Sequence, residues 1–184
     1  MNPEKFALSE GNNNLSALPI QKAGWRDVGA VMKLEKRCFS PDDAWPLLDV
    51  IAVLSTPSTV RFKIELDNQM IAFAAAERQI PKAGRAEKSV GWITTISVIP
   101  EYRRQSLASR LLAACEEALQ MPVIRLSVRR SNEDAIRLYQ HAGYVQVDIW
   151  PDYYIGNEDA LVLEKKFDAR GKREYNINTM EILV

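Results

Sequence analysis

A short basic segment, residues 101–109 with the sequence EYRRQSLAS, has the residue types and spacing that most clearly suit ligand chemistry. It follows an apolar run at 90–99 and opens an apolar-periodic stretch at 107–119, which predicts a strand, a turn and a helix. The first turn of a helix presents unpaired backbone N–H groups and a positive dipole end, which suit a phosphate. The alternative is a basic helix start that faces solvent. The predicted pyrophosphate cradle consists of Arg103, Arg104, Gln105, Ser106, Leu107, Ala108 and Ser109.

The elements that would position this cradle follow the order β-α-α-β-β-β-α-β-α-β-β, which predicts an α/β sandwich around one mixed sheet. Asp67-Asn68 predicts a hairpin turn, Ser131 or Asn132 an N-cap, and Gly143 a helix end. Apolar residues at helical spacing predict helices at 25–38, 44–54, 107–119 and 132–142. Alternating or continuous apolar runs predict strands at 18–22, 59–66, 70–80, 90–98, 123–128, 144–149 and 160–166.

The composition fits a single domain without a charge excess. The chain has 184 residues, with 24 Lys+Arg and 24 Asp+Glu, so net charge does not favour nucleic acid or a membrane. The N-terminus has no long apolar run, and we expect no signal peptide, no membrane span and a cytoplasmic location. We expect a flexible leader at 1–15, one domain at 16–167 and a C-terminal extension at 168–184. We expect a monomer or homodimer.

Two cysteines and one histidine leave little material for a metal site. Cys38 and Cys115 both lie in helical apolar patterns, which favours buried free thiols over a disulfide or a metal pair. His141 follows Tyr139 by two positions and so lies on another face of its helix. We therefore expect no metal ion.

The basic segment resembles the acyl-CoA motif of the GNAT acetyltransferase superfamily, Gln/Arg-x-x-Gly-x-Gly/Ala. Arg103 takes the first place, and Ser106 and Ala108 take the two glycine places. Serine at the first glycine place is a departure, because glycine lets a backbone come close to a ligand. Residues 126–132, with the sequence LSVRRSN, and the helix after them resemble the unit that completes the same fold. The resemblance covers about residues 17–167.

The end of the predicted domain resembles one subfamily. Tyr153-Tyr154 followed by residues 158–160, Glu-Asp-Ala, is similar to the end of the N-terminal protein acetyltransferases. These include the bacterial ribosomal-protein alanine acetyltransferase and the archaeal and eukaryotic catalytic subunits. The resemblance implies a GNAT fold, with a mixed, mostly antiparallel twisted sheet flanked by helices and two splayed parallel strands, 90–98 and 123–128. It also implies acetyl-CoA as cosubstrate and an amine as acceptor.

In that fold the pantetheine arm of coenzyme A lies between the splayed strands like an extra strand. The resemblance implies that the cradle binds the pyrophosphate of coenzyme A and that Asn132 contacts the cofactor besides any capping role. It also implies that main-chain groups of three strand residues bind the pantetheine amides: Ile96, Ser97 and Val98.

The same resemblance assigns roles to aromatic residues. Tyr139 would lie near the thioester sulfur and donate a proton to the thiolate; on helix spacing alone it is a core tyrosine. Tyr153 and Tyr154, in a predicted loop between the last strands, would hydrogen-bond the backbone of a peptide acceptor, or else pack beside Trp150. Trp92 would wall the substrate pocket.

The sequence leaves the general base open. The bacterial alanine acetyltransferases carry a glutamate, and some eukaryotic relatives a histidine, where this chain has Ser127. Ser127 would hold a water that relays the proton, which is the interpretation we favour. Alternatively, a carboxylate of Glu158, Asp159 or Asp43 is the base. In a third interpretation, the enzyme takes the minority of acceptor that arrives neutral, because an α-amino pKa is about 8.

Three functions follow from this pattern. The leading one is acetyl transfer from acetyl-CoA to the N-terminal α-amine of a protein or peptide, which the subfamily-like ending favours. The second is acetylation of a small-molecule amine, such as a polyamine or an antibiotic-like compound. The third is a coenzyme A-binding module without catalysis, which the serines at positions 106 and 127 motivate.

Overall fold

The computed structural model describes residues 15–41, 43–80 and 89–167. The described chain forms four α-helices, α1 (Val28–Cys38), α2 (Leu47–Ser55), α3 (Leu107–Leu119) and α4 (Glu133–His141). Its seven strands are β1 (Gln21–Lys22), β2 (Thr59–Leu66), β3 (Gln69–Gln79), β4 (Val90–Val98), β5 (Val123–Arg129), β6 (Val145–Tyr154) and β7 (Glu158–Lys166). Short 3₁₀ turns lie at Leu15–Ala17, Trp25–Asp27 and Pro100–Tyr102.

All seven strands belong to one sheet, in the order β1-β2-β3-β4-β5-β7-β6. Every neighbouring pair is antiparallel except β4 and β5. The sheet is therefore mixed and mostly antiparallel, as the sequence predicted, and the element order is confirmed.

The parallel strands β4 and β5 separate in the middle of the sheet. Their pairing stops at Ile93 and Leu126, although β4 continues to Val98 and β5 to Arg129. The register of β4 against β3 skips Thr94, which marks a β-bulge. Because a bulge bends and twists its strand, it turns the second half of β4 away from β5. The predicted splay is confirmed.

The core is built around β3, whose residues 70–76 are all buried. A strand buried on both faces must be covered on both, and α1 and α3 both pack on β3. Helix α3 contributes a buried stripe of Leu107, Leu111, Leu112, Cys115 and Leu119. The layers on the sheet thus hold β4, the strand beside the opening, in a fixed place.

Several local predictions are confirmed. Asp67 and Asn68 both have positive φ, 50° and 61°, as a two-residue hairpin turn requires. Asn132 is the N-cap of α4, where its side chain accepts a hydrogen bond from Ala135 N at 3.2 Å. Gly143, with a φ of 91°, follows the end of that helix.

Three predicted boundaries were wrong. Helix α2 begins at Leu47 and not at 44, because Pro46 lacks an N–H and favours an extended residue before it. Strand β1 has two residues instead of five. Strand β6 continues to Tyr154, so Tyr153 and Tyr154 lie in a strand and not in a loop; proline at 151 is tolerated because β6 is an edge strand with an irregular register there.

The predicted domain limits fall mostly outside the described residues. Leu15, which the prediction placed in the leader, is buried in a 3₁₀ turn, so packed structure includes this residue. Residues 1–14 and 168–184 lie outside the described part of the chain, and the leader and the C-terminal extension stay predictions.

Candidate active site

The opening between β4 and β5 exposes one edge of each strand. Ile96, Ser97 and Val98 pair with β3 on one side, while on the β5 side the described strands no longer pair. Backbone groups on that open edge need a partner. The edge has the form that an extended, amide-containing ligand would complete.

The cradle predicted before α3 has the geometry of an anion site. The first helical hydrogen bond runs from Arg110 N to Ser106 O at 3.0 Å. The N–H groups of residues 107–109 therefore remain outside the hydrogen-bond ladder of the helix. Arg104 and Ser106 both have positive φ, 62° and 61°, the region that glycine adopts without strain. The serine thus takes the backbone conformation of the glycine that it replaces in the motif.

The two arginines of the cradle do different things. Arg103 Nε donates to Val98 O at 3.1 Å and so ties the turn to the end of β4. Arg104 is exposed, and its guanidinium lies 3.3 Å from the Asp134 carboxylate at the start of α4. Since an exposed pair of this kind contributes little to stability, Arg104 is free to exchange Asp134 for a stronger anion.

Tyr139 lies at the inner end of the site. It is 8% exposed, and its ring packs edge-on against Tyr144 with centroids 5.9 Å apart. Burial raises the pKa of Tyr139, and the nearby Tyr154 phenol adds to the rise. The phenol therefore stays protonated through the neutral pH range, which is the form that can donate a proton.

A row of aromatic rings extends from β4 to β6. Trp92 and Trp150 are stacked, with centroids 5.6 Å apart and ring planes within 4°. Trp150 packs on Tyr153 at 5.1 Å, and Tyr153 meets Tyr154 edge-on at 5.0 Å. The three predicted substrate-binding residues, Trp92, Tyr153 and Tyr154, are thus brought together, with Trp150 between them.

Arg129 links three segments beside this row. Its guanidinium binds Glu158 at 2.8 Å and Asp43, and lies 4.3 Å from the centre of the Tyr154 ring. Asp43 belongs to the segment between α1 and α2, and Glu158 starts β7. A cavity of about 310 Å³ adjoins the bridge, lined by Ser40, Asp43, Arg129, Ile155 and Glu158.

Comparison with known proteins shows the family. The acetyltransferase (GNAT) family pattern matches residues 28–144, more than half of the chain. The chain belongs to the GNAT acetyltransferase family. Its sheet and helices match those of solved GNAT structures.

Individual relatives include proteins named as N-alpha-acetyltransferases and N-terminal acetyltransferase subunits. The chain is 25% identical over 156 residues, 78% of its length and 90% of the relative's, to an N-alpha-acetyltransferase of Sulfurisphaera tokodaii. It is 37% identical over 86 residues to the catalytic subunit of the N-terminal acetyltransferase B complex of Arabidopsis thaliana, a match covering 45% of this chain and about half (49%) of that relative. The structure of the ribosomal-protein alanine N-acetyltransferase of Escherichia coli has a TM-score of 0.67 at 25% identity, covering 79% of this chain and 91% of that one.

The three carboxylates that the sequence offered as alternative bases each bind a cationic side chain. Hydrogen bonds from Ser131 and from Arg129 lower the pKa of Glu158 to about 2. Asp43 binds Arg129, and Asp159 lies 3.3 Å from the Arg130 guanidinium. All three carboxylates are thus engaged in ion pairs. Ser127 lies half-buried on β5, where it faces the Tyr154 phenol and helps to oppose the burial that raises the pKa of Tyr154.

A carboxylate that the sequence analysis missed lies behind β4. Glu35 on α1 is 1% exposed, and its Oε1 accepts a hydrogen bond from Ser97 Oγ at 2.9 Å. Its Oε2 accepts a longer one from Trp45 N at 3.5 Å. The sequence did contain a signal, because Glu35 follows Val31 by four positions and Val28 by seven and so continues the apolar face of the helix.

Two expected absences concern only the described residues. No group of three or more His, Cys, Asp or Glu side chains among residues 15–41, 43–80 and 89–167 is placed to hold a metal ion. Nor does any helix in those ranges have the length and apolarity needed to span a membrane.

Proposed function

We propose that this enzyme transfers the acetyl group of acetyl-CoA to the N-terminal α-amine of a protein or peptide. The observation that carries the proposal is the row of aromatic rings that extends from β4 to β6 beside the Arg129 bridge and its cavity. Its phenols and indoles offer flat contacts and hydrogen bonds suited to a peptide backbone. The names of the archaeal and plant relatives support the same class of acceptor.

The cofactor position follows from the open edge and the cradle. We place the pantetheine arm along Ile96, Ser97 and Val98, where its amides would complete the strand edge. The pyrophosphate would accept bonds from the N–H groups of residues 107–109 and pair with Arg104, which then releases Asp134. Asn132, at the start of α4, would contact the cofactor from the other side of the opening.

The reaction then requires three proton transfers. The acceptor ammonium loses a proton, and its nitrogen attacks the thioester carbonyl carbon. The tetrahedral intermediate collapses, the C–S bond breaks, and the departing thiolate takes the proton of the Tyr139 phenol. The second proton of the attacking nitrogen returns to the phenolate, so that the products are an amide, free coenzyme A thiol and one proton released to solvent.

A thiol-release assay with a panel of acceptors tests the acceptor class. Peptides with free N-termini are compared with the same peptides blocked by acetylation and with polyamines, at equal concentrations of acetyl-CoA. We expect thiol release with free peptides, none with blocked ones, and higher kcat/KM for the best peptide than for any polyamine. Preference for polyamines would favour the small-molecule function instead. Coenzyme A binding without thiol release from any amine would favour the non-catalytic module.

A further inference from the structure

Glu35, Ser97 and Thr95 form a line of polar groups along one side of β4. Ser97 Oγ donates to Glu35 Oε1 at 2.9 Å, and Thr95 Oγ1 lies 3.3 Å from Ser97 Oγ. Glu35 and Ser97 are buried, at 1% and 2% exposure, whereas Thr95 is partly accessible. The line therefore leads from a carboxylate in the interior to a hydroxyl at the surface of the strand.

This line ends at the opening between the splayed strands. Thr95 is two positions beyond Ile93, the last β4 residue that pairs with β5, and Ser127 is one position beyond Leu126, its counterpart on β5. Thr95 and Ser127 therefore both lie where β4 and β5 begin to separate.

Glu35, the inner end of the line, also contacts the chain segment that carries part of the cavity beside the Arg129 bridge. Thr95 and Ser97 are two positions apart and share a face of β4, the face that α1 covers through Glu35. Trp45, whose N–H contacts Glu35, follows Asp43 of the cavity wall by two positions.

We propose that Glu35 accepts the proton of the acceptor ammonium group through the hydroxyls of Ser97 and Thr95. The proposal rests on the proposed function, because it supplies the deprotonated amine that the reaction requires. The ammonium N–H bond breaks, each hydroxyl passes on one proton as it receives another, and Glu35 becomes a neutral carboxylic acid. That proton later returns to solvent by the same path. Glu35 does not contact the substrate. It acts only through the hydroxyls of Ser97 and Thr95 and is therefore a positioning residue.

The surroundings of Glu35 suit this role. Burial raises the pKa of its carboxyl, while the hydrogen bonds from Ser97 and Trp45 oppose the rise. An elevated carboxyl pKa brings a base closer to neutrality, where proton acceptance is most effective.

The elements around Glu35 contribute few charges. Its titratable neighbour on α1 is Cys38, whose thiol pKa is raised to about 11 by burial despite the nearby Arg103 guanidinium, so the thiol stays neutral. Strand β3 presents the apolar residues 70–76, and α2 buries Val50 and Leu54. From β4 the facing groups are the hydroxyls of Ser97 and Thr95.

The pH dependence of kcat separates a proton acceptor from a packing residue. Glu35 accepts a proton only when ionised, so wild-type kcat should rise with pH through the raised pKa of Glu35 and then level off. Glu35→Gln keeps the size and hydrogen-bonding capacity of the side chain but cannot accept the proton. The variant should depend on acceptor that is already neutral, so its kcat should rise about tenfold per pH unit until the amine pKa, about 8.

The experiment measures kcat for the best amine acceptor between about pH 5.5 and 9, with circular dichroism to confirm folding. We expect the kcat of Glu35→Gln to be about 10- to 30-fold below the wild-type value near pH 6.5, where only a few per cent of an α-amine is neutral. Near pH 9 the two kcat values should differ little. Ser97→Ala cuts the line while it keeps the backbone and Glu35, and should show the same profile. Glu164→Gln, which removes another buried carboxylate, on β7, should keep the wild-type profile.

Three outcomes would overturn the relay. These are coincident profiles for wild type and Glu35→Gln, an equal loss at every pH, or a wild-type profile for Ser97→Ala. None of these outcomes would contradict the proposed acceptor class, because that class is tested by the preference for peptides over polyamines. A preference for polyamines would remove the proposed function and leave the relay to be measured on that amine.

Discussion

At the scale of single residues, Tyr139 provides the sharpest test of the chemistry. Tyr139→Phe removes the phenolic proton and leaves the ring, so we expect kcat to fall by about 10²–10⁴-fold with little change in acetyl-CoA affinity. Because burial raises the pKa of Tyr139, wild-type kcat should show no alkaline loss from this group below about pH 10. Steady-state kinetics and calorimetric cofactor binding check both statements.

Tyr144→Phe is the matched control for that variant. Tyr144 is 2% exposed and touches the Tyr139 ring edge-on, so it shares the surroundings of Tyr139 without an assigned role. We expect its kcat to remain close to the wild-type value. If Tyr139→Phe were fully active and well folded, Tyr139 would be a core residue and the thiolate would take its proton elsewhere.

At the scale of elements, the start of α3 carries strain that the family motif normally avoids. Ser106 has a φ of 61°, and a left-handed residue other than glycine costs about 1–2 kcal/mol. Ser106→Gly removes that cost but adds the backbone entropy of glycine, about 0.5–1 kcal/mol. We therefore expect the free energy of unfolding to increase by about 0.5–1 kcal/mol, as measured by urea denaturation.

Ser109→Gly makes the same chemical change two residues into α3, where the backbone is helical. For this variant we expect the free energy of unfolding to decrease by about 0.5–1 kcal/mol, since glycine is a poor helix residue. Opposite signs for the two variants would confirm that backbone conformation decides the outcome. A destabilised Ser106→Gly would instead mean that the serine side chain stabilises the turn.

At the scale of the whole molecule, a buried ion pair joins α3 to β7. Lys165 Nζ lies 2.7 Å from Glu116 Oε2, with side chains only 6% and 11% exposed. Lys165→Met leaves the Glu116 carboxylate buried without its partner, so we expect a loss of about 3–5 kcal/mol in the free energy of unfolding. The neighbouring Lys166, 64% exposed and 3.6 Å from Glu164, serves as control, and Lys166→Met should cost less than about 1 kcal/mol. Equal losses of unfolding free energy in the two variants would contradict a stabilising role for the buried pair.

The sequence predicted what depends on local order and missed what depends on contacts between distant segments. Asp67-Asn68, the N-cap at Asn132 and the basic turn at 101–109 are local signals, and the structure contains the corresponding turns and helix starts. By contrast, Arg129 meets Asp43 from 86 positions away, and Ser97 meets Glu35 from 62. No spacing rule reports such pairs, so the bridge and the buried carboxylate emerge only in three dimensions.

The stacked indoles of Trp92 and Trp150 also provide an intrinsic spectroscopic signal of local structure. Parallel chromophores at this separation share their electronic transitions, and the shared signal depends steeply on the distance and angle between the rings. One ring is carried by β4 and the other by the edge strand β6. Near-ultraviolet circular dichroism should therefore detect any change in the relative position of β4 and β6 when an acceptor binds, without a label and without turnover.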